Sequence, residues 1–139
     1  MSATGCNYCD KNEAHSVYAY EAATLPESII YIFREQSHPG RLIVAHKEHV
    51  SDLADLSDEK RNAYFADVAT AARAIHKAFR PDKINYAAYG DLVPHLHFHL
   101  VPKYRDQFEW GGTFVMNPQE KVLTDAECEE VAKRIRAAL

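Results

Sequence analysis

The N-terminal part of the chain alternates between short apolar runs and polar or turn residues, a pattern typical of β-strands. Ser16–Ala22, Ser28–Arg34 and Arg41–Ala45 are each rich in aromatic, β-branched or other apolar residues that favour a pleated strand. Pro39-Gly40 marks a turn that leads into the third run. Short connections between successive strands predict an antiparallel meander.

The spacing of apolar residues changes from that of a strand to that of a helix between Asp58 and Phe79. Apolar residues recur there at helical intervals and form one stripe, made of Tyr64, Val68, Ala72, Ile75 and Phe79. Asp55, Ser57 and Asp58 are candidate N-caps. Pro81 ends the helix because proline lacks the backbone N–H that a helix needs. The pattern therefore predicts a long amphipathic helix after the meander.

The C-terminal half predicts two further strands and a second helix. Lys83–Ala88 has strand character, and a turn through Tyr89-Gly90-Asp91 leads to the alternating stretch Pro94–Tyr104, PHLHFHLVPKY. Thr124 and Glu127 have the spacing of a capping box, and helical sequence follows them to the C-terminus. The element order predicts an α+β fold, with an antiparallel β-sheet of about five strands, one long helix and a C-terminal helix.

The composition narrows the class of protein. At 139 residues and 15.8 kDa, the chain is expected to form a single domain over residues 1–139. A net charge of −4 without a basic stripe argues against binding to a nucleic-acid polymer. No apolar run is long enough for a membrane span and the N-terminus lacks signal-peptide character, so we predict a cytoplasmic protein that does not bind membranes.

A disulfide framework is a poor explanation for the cysteines, because Cys6, Cys9 and Cys128 cannot all pair. In a reducing compartment, a Cys-x-x-Cys pair such as Cys6 and Cys9 indicates metal binding or redox chemistry. Cys128 lies on the apolar side of the C-terminal helix and is predicted to be a packing residue.

The stretch Pro94–Tyr104 carries the candidate chemistry. Successive side chains of a strand alternate between its faces, so one face carries His95, His97 and His99. The opposite face carries apolar residues that can be buried against the helices, namely Leu96, Phe98 and Leu100. Three imidazoles on one face allow a catalytic metal site, or a nucleophile toward phosphorus whose neighbours bind phosphate oxygens and the leaving group. A solvated polar face is the third interpretation, and spacing alone does not choose among them.

The order of motifs resembles a known family. His95 to Val101 (HLHFHLV) matches the His-φ-His-φ-His-φ-φ signature of the histidine triad (HIT) nucleotide hydrolases and transferases, where φ is apolar. Leu42-Ile43-Val44 followed by Lys47-Glu48-His49 is similar to the family's "LVIPKxH" segment. The resemblance covers roughly Cys6 to Tyr104 and implies a HIT-like fold, a homodimer and a nucleotide substrate, with dinucleoside polyphosphates and adenosine phosphoramidates as the substrate classes.

The resemblance assigns roles to two histidines. His97 would attack the α-phosphorus and form a nucleotidyl-histidine intermediate. His99 would contact phosphate oxygens or assist the leaving group. The chemistry is physically sound, because a neutral imidazole can attack in line and its phosphoramidate can be hydrolysed by water.

The chain departs from the family pattern at Arg41, where many members have a fourth histidine. A guanidinium cannot relay a proton, but it can stabilise charge on a phosphoryl oxygen. We therefore predict that Arg41 is catalytic and binds substrate as an electrostatic clamp, with a plain surface arginine as the alternative. His38 and His46 lie nearby in sequence and are predicted to be surface histidines.

A second departure affects the phosphate-binding loop before the triad. The family usually has a Gly-Gln-Ser/Thr-type loop, whereas this chain has the residues from Tyr89 to Pro94, including Asp91, which would repel phosphate. Asn85 and Gly90 are the predicted replacement contacts for substrate.

The resemblance also implies a structural zinc ion. In one branch of the family, the ligands are a Cys-x-x-Cys pair, the histidine of the "PKxH" segment and the first triad histidine, which correspond here to Cys6, Cys9, His49 and His95. Such a site would hold the N-terminal segment 1–15 against the start of the triad strand and would remove His95 from the reacting set. A thioredoxin-like redox pair is the alternative for the cysteines.

Two other functions remain open from the sequence. The first is a zinc metallohydrolase in which His97 and His99 bind a catalytic metal, and the second is a nucleotide-binding adaptor with little catalysis. The apolar segment Trp110 to Met116 is predicted to line either a dimer surface or a nucleoside pocket.

Overall fold

The structure, a computed structural model, describes residues 5–139. The predicted domain 1–139 therefore includes four positions, residues 1–4, that lie outside the described residues. The order of elements is α+β, as the sequence predicts. None of the helices in the described part of the chain is long and apolar enough to cross a membrane.

One five-stranded antiparallel sheet forms the centre of the fold, in the order β1-β2-β3-β5-β4. Its strands are β1 (Ala19–Thr24), β2 (Ser28–Phe33), β3 (Leu42–His46), β4 (Lys83–Ala87) and β5 (His97–Lys103). The predicted meander is confirmed as β1-β2-β3. The triad strand is shorter than predicted, because the chain before β5 turns through a hydrogen bond between the backbone N–H of residue 95 and the carbonyl of residue 93.

Within residues 5–139, four α-helices and a short 3₁₀ helix (Leu53–Asp55) accompany the sheet; the α-helices are α1 (Asn7–Asp10), α2 (Glu13–Ser16), α3 (Asp58–Phe79) and α4 (Asp125–Ala138). Ser57 caps α3 and accepts a hydrogen bond from the backbone N–H of Lys60, and the predicted capping box opens α4. The first predicted strand begins at Ala19 instead of Ser16, since α2 occupies the preceding residues.

The two faces of the sheet bury different partners. On one face, Leu96 and Leu100 join the main core with α3 and α4, as the alternating pattern predicts. On the face that carries His97, a smaller cluster contains Tyr8, Tyr31 and Phe33 together with other residues from β1 and β3. The N-terminal segment therefore covers the histidine face, and this arrangement positions the candidate site.

A buried carboxylate ties α3 to the sheet. Asp67 accepts hydrogen bonds from the Ser28 hydroxyl at 2.7 Å and from the Glu27 backbone N–H at 2.8 Å.

We expect Asp67→Ala to lower the free energy of unfolding by about 2–3 kcal/mol, since buried donors without a partner cost about 1–3 kcal/mol each. Urea unfolding monitored by circular dichroism measures the change. Glu130→Ala is the control, because that side chain is 73% exposed and its loss should change stability by less than about 0.5 kcal/mol; equal losses in both variants would contradict the prediction.

Candidate active site and metal centre

The histidine face opens into a cavity with a volume of about 540 Å³. Its walls are mainly aromatic and apolar, and His97 and His99 contribute imidazoles to them. The full lining consists of Tyr8, Tyr18, Phe33, Tyr89, Gly90, Asp91, Leu92, Val93, His97, His99, Met116 and Asn117. Such a cavity, apolar with a few convergent polar groups, is typical of a small-molecule site.

His97 is held in one tautomer. Its Nδ1 lies 2.6 Å from the carbonyl oxygen of His95, a group that can only accept, so Nδ1 carries the hydrogen and donates it. Nε2 is then left with a free lone pair. Burial lowers the pKa of His97 below its ordinary value, which favours the uncharged ring. The side chain therefore has the electronic state that a nucleophile requires.

His99 lies beside His97, with 5.3 Å between the ring centroids. The Arg41 guanidinium donates from Nη2 to His99 Nδ1 at 3.4 Å. Burial, followed by the charge of Arg41 and the proximity of His97, lowers the pKa of His99 to about 3. His99 is therefore neutral at pH 7.

Arg41 is not the surface arginine that the sequence left open as an alternative, since its exposed fraction is 0%. The guanidinium carbon lies 3.9 Å from the centroid of Phe33 and 5.0 Å from that of Phe114. Gly40 precedes it with a φ of 93°, and a Cβ there would meet the Phe79 ring at 2.8 Å, so only glycine fits this turn. Burial lowers the pKa of Arg41 to about 10, which leaves it charged at pH 7.

The prediction that His38 and His46 are surface residues is wrong, because each is only 2% exposed. His38 Nε2 lies 2.6 Å from the Glu109 carboxylate, and the His46 ring packs on Tyr64. Residues distant in sequence cover both rings, and no local pattern reveals such coverage.

Of the two residues predicted to contact phosphate, Gly90 and Asn85, only Gly90 lines the cavity. Gly90 lines the cavity with His97 and His99, together with Asp91. Asn85 lies opposite Val101 in the sheet and is not among the described residues that line the cavity. The sequence did not single out Tyr8, Tyr18 and Phe33 as cavity residues; for Tyr8 a signal was present, since it lies between the two cysteines.

The four predicted metal ligands come together, with all their ligand atoms within 4.8 Å of one another. With zinc–sulfur bonds of about 2.3 Å and zinc–nitrogen bonds of about 2.0–2.1 Å, a tetrahedron separates sulfur from nitrogen by about 3.5 Å and two nitrogens by about 3.3 Å. Cys9 Sγ lies 3.5 Å from His49 Nδ1, Cys6 Sγ lies 3.3 Å from His95 Nδ1, and the two Nδ1 atoms are 3.3 Å apart. The spacing fits a tetrahedral Cys2His2 zinc site.

The hydrogen bonding of His95 also suits a metal ligand. Its Nε2 lies 2.7 Å from the carbonyl oxygen of His46 and donates to it, so Nδ1 is unprotonated and faces the cysteines. Within residues 5–139 these four residues form the one group of metal-ligating side chains that meets in this way. His97 and His99 have no further ligand of this kind beside them in that part of the chain, which weighs against the metallohydrolase alternative.

Fold and site together define a class: an α+β protein with a Cys2His2 cluster next to a cavity that holds two buried neutral histidines. The sequence model of the HIT domain matches residues 23–106. The chain therefore belongs to the HIT family.

Curated relatives include enzymes that cleave nucleotides. The chain is 25% identical over 114 residues to adenosine 5′-monophosphoramidase hnt1 of Schizosaccharomyces pombe, a match that covers 78% of this chain and 83% of that protein. It is 36% identical over 81 residues to the AP-4-A phosphorylase of Mycobacterium tuberculosis, covering 54% of this chain and 38% of that protein. It is also 36% identical over 73 residues to the bis(5′-adenosyl)-triphosphatase of Saccharomyces cerevisiae, covering 48% of this chain and 35% of that protein. The chain thus spans well under half the length of the last two relatives.

Solved structures share the fold. A histidine triad protein from Sinorhizobium meliloti superposes with a TM-score of 0.83 at 20% identity, covering 92% of this chain and 95% of that one. A zinc-bound histidine triad family protein from Mycobacterium smegmatis has a TM-score of 0.71 at 22% identity, covering 99% of this chain and 94% of that one.

Proposed function

We propose that the chain is a hydrolase or nucleotidyltransferase that cleaves nucleoside phosphate anhydrides or phosphoramidates through a covalent nucleotidyl-histidine. The observation that carries the proposal is the Nδ1–H bond of His97 to the His95 carbonyl, at 2.6 Å, in a ring that lines the cavity. It leaves a neutral imidazole with a free Nε2 lone pair, held rigidly by a strand.

The chemistry has two displacements. In the first, the lone pair of His97 Nε2 forms a bond to the α-phosphorus, while the bond from phosphorus to the leaving group breaks and its electron pair goes to that group. In the second, water attacks phosphorus, the P–N bond breaks, its electron pair returns to Nε2 and the water loses a proton to solvent. The neighbouring His99 is proposed to contact the phosphoryl oxygens or to assist the leaving group.

The aromatic cavity wall supports a nucleoside ligand. Tyr8, Tyr18 and Phe33 offer flat apolar surface on which a base can pack. The activities for which the curated relatives are named, which concern adenosine nucleotides, point to the same substrate class. Gly90 stays a proposed substrate contact as the sequence predicts, whereas Arg41 and Asn85 lie outside the cavity lining, and Arg41 reaches the cavity only through His99.

We further propose that Cys6, Cys9, His49 and His95 hold a structural zinc ion. When bound, zinc would cross-link the N-terminal segment to the loop before β5 without taking part in the reaction. Tyr8 lies between the two cysteines, and its ring centroid is 5.0 Å from that of His97. The ligand set would therefore fix one wall of the cavity beside the nucleophile.

A nucleotide-binding adaptor is the second candidate function. It is favoured by the carboxylate of Asp91 in the cavity wall, which would repel a phosphate group.

We also propose, from the family resemblance, that the protein is a homodimer and is located in the cytoplasm. Sedimentation velocity would test the dimer.

A substrate panel tests the function. The purified, metal-loaded protein is incubated with adenosine 5′-phosphoramidate, diadenosine triphosphate and diadenosine tetraphosphate, with and without inorganic phosphate. We expect release of AMP from at least one substrate; an ADP product that appears only with added phosphate would instead indicate phosphorolysis. Tight binding of all three substrates without turnover would overturn the hydrolase and support the adaptor.

A further inference from the structure

We infer that Arg41 is a positioning residue that holds His99 as the neutral tautomer protonated on Nε2, so that His99 stabilises the phosphoryl group by hydrogen bonding and does not act as a general acid. The tautomer is a property of the free protein. Its consequence for turnover rests on the proposed function and narrows the substrate class to phosphoanhydrides, whose leaving group departs without being protonated.

The position of Arg41 separates it from the substrate. Its side chain is 0% exposed and does not belong to the described cavity lining, whereas its neighbours His99 and Met116 do. Arg41 Nη2 lies 3.4 Å from His99 Nδ1 and 3.4 Å from Met116 Sδ. These two side chains therefore stand between the guanidinium and the cavity.

The direction of the hydrogen bond fixes the tautomer. A guanidinium has only donors, so the Nδ1 atom of His99 must act as the acceptor and cannot carry a hydrogen. In the neutral ring the hydrogen is then on Nε2. This tautomer can donate a hydrogen bond to a phosphoryl oxygen, but full transfer of its proton would leave an imidazolate, which is too basic to form in water near pH 7.

The charge of Arg41 acts directly on His99, while the carboxylates of Glu35 and Glu109 act on the guanidinium and favour its charged form. No carboxylate of the described residues forms an ion pair with Arg41, and its Nε and Nη1 atoms have no hydrogen-bond partner among those residues. The groups that face His99 are His97 on its own strand, Arg41 before β3, and the rings of Phe33 on β2 and Phe114. None of them is a carboxylate, so no group in the described part of the chain that faces His99 favours its protonated form.

A partly buried hydrogen bond between His38 and Glu109 holds the segment that packs on Arg41. Phe114 and Met116 lie in residues 104–117, and Glu109 anchors this segment by accepting from the Val115 backbone N–H at 2.9 Å while its other oxygen lies 2.6 Å from His38 Nε2. Lys103 Nζ donates to the Glu109 carbonyl at 2.8 Å. The guanidinium is therefore held between Phe33 and Phe114 by stacking, and its orientation toward His99 is built into the fold.

The substrate consequence follows from leaving-group chemistry. When a phosphoanhydride is cleaved, the electron pair of the broken P–O bond goes to a phosphate oxygen, a stable anion that needs no proton. When a phosphoramidate is cleaved, the pair goes to nitrogen, which must gain a proton because an amide anion is not a viable product. A neutral His99 cannot supply that proton, so the site favours anhydrides.

Two measurements test the inference. Long-range ¹H–¹⁵N NMR on the metal-loaded free protein should show His99 with hydrogen on Nε2 and uncharged down to about pH 4, as its pKa of about 3 requires. In Arg41→Met, which removes donor and charge, we expect the titration of His99 to move up by at least about one pH unit. Arg41→Gln, which keeps an amide donor, should retain the tautomer with a smaller shift, and it is the second variant if Arg41→Met does not fold.

Kinetics provide the second readout. The ratio of kcat/KM for diadenosine triphosphate to that for adenosine 5′-phosphoramidate should exceed about tenfold in the unaltered protein and fall by at least about tenfold in Arg41→Met, because His99 then becomes protonatable. Arg105→Met is the control, since that side chain is 71% exposed, and it should change neither readout.

The NMR measurement and the kinetic measurement test different parts of the inference, so each can contradict its own part. If the titration and the tautomer of His99 are unchanged in Arg41→Met, Arg41 does not position His99. If KM for both substrates also rises in that variant, Arg41 binds substrate directly instead. A preference for the phosphoramidate in the unaltered protein would overturn the substrate class. Absence of turnover on both substrates would overturn the proposed function, while the NMR result on the free protein still decides the tautomer.

Discussion

His97→Ala is expected to lower kcat/KM for the best nucleotide substrate by about 10⁴-fold or more, because removal of a covalent nucleophile abolishes both displacements. Binding should change much less, since the aromatic walls of the cavity remain. Steady-state kinetics with AMP release as the signal measure the effect, and equilibrium binding of a non-hydrolysable dinucleotide measures affinity. The expected pattern is a collapse of kcat with a small change in Kd.

His76→Ala is the matched control for this variant, since His76 is exposed on α3 and belongs to no described part of the cavity. Its activity should equal that of the unaltered protein. His97→Gly assayed with added imidazole provides a further check, because a free imidazole can enter the space left by the side chain and restore part of the rate. If His97→Ala turns over nucleotide at the unaltered rate, His97 is not the nucleophile.

Cys6→Ser is expected to remove the bound zinc and lower stability by several kcal/mol, since the binding free energy of a structural metal adds directly to the folded state. The unaltered protein should contain about one zinc per chain, because four ligands of the Cys2His2 type complete one tetrahedral site. Elemental analysis after gel filtration gives the metal content, and thermal unfolding gives the stability. The variant should also lose affinity for nucleotide, because Tyr8 would no longer be held against His97.

Cys128→Ser is the control for the metal variant. Cys128 is buried in the main core, outside the four-residue cluster, so its replacement should preserve the zinc content and cost only local packing. Removing zinc from the unaltered protein with a chelator should lower its stability to that of Cys6→Ser. The same chelator should not change the stability of Cys6→Ser itself. A metal-free preparation of the unaltered protein with full stability would contradict the structural role of zinc.

The sequence predicts the frame of the fold well where local patterns determine it. The long helix Asp58–Phe79 has the predicted bounds, because its caps and apolar stripe are local features. The alternation around His97 predicts which side chains face α3 and α4, since the period of a strand allows only two faces. The short helices α1 and α2 were missed, because four residues carry no periodic signal and such helices depend on the contacts around them.

The site is only partly predictable from the sequence, because part of it depends on contacts between residues that are distant in the chain. The set of four metal ligands follows from the family resemblance, and the structure brings all four together. The buried positions of Arg41, His38 and His46 do not follow, because the residues that cover them come from distant parts of the chain, such as Glu109 and Phe114. A charged residue in sequence looks exposed until its long-range neighbours are known.

The measurement that tests the central claim most directly is intact-protein and peptide mass spectrometry after rapid, acid-free quenching with diadenosine triphosphate. The account predicts a nucleotidyl adduct with the mass of an AMP group, on His97, which forms within one turnover, decays with water and is absent from His97→Ala. Turnover at the full rate without any adduct, or with the adduct on His99 instead, would contradict it.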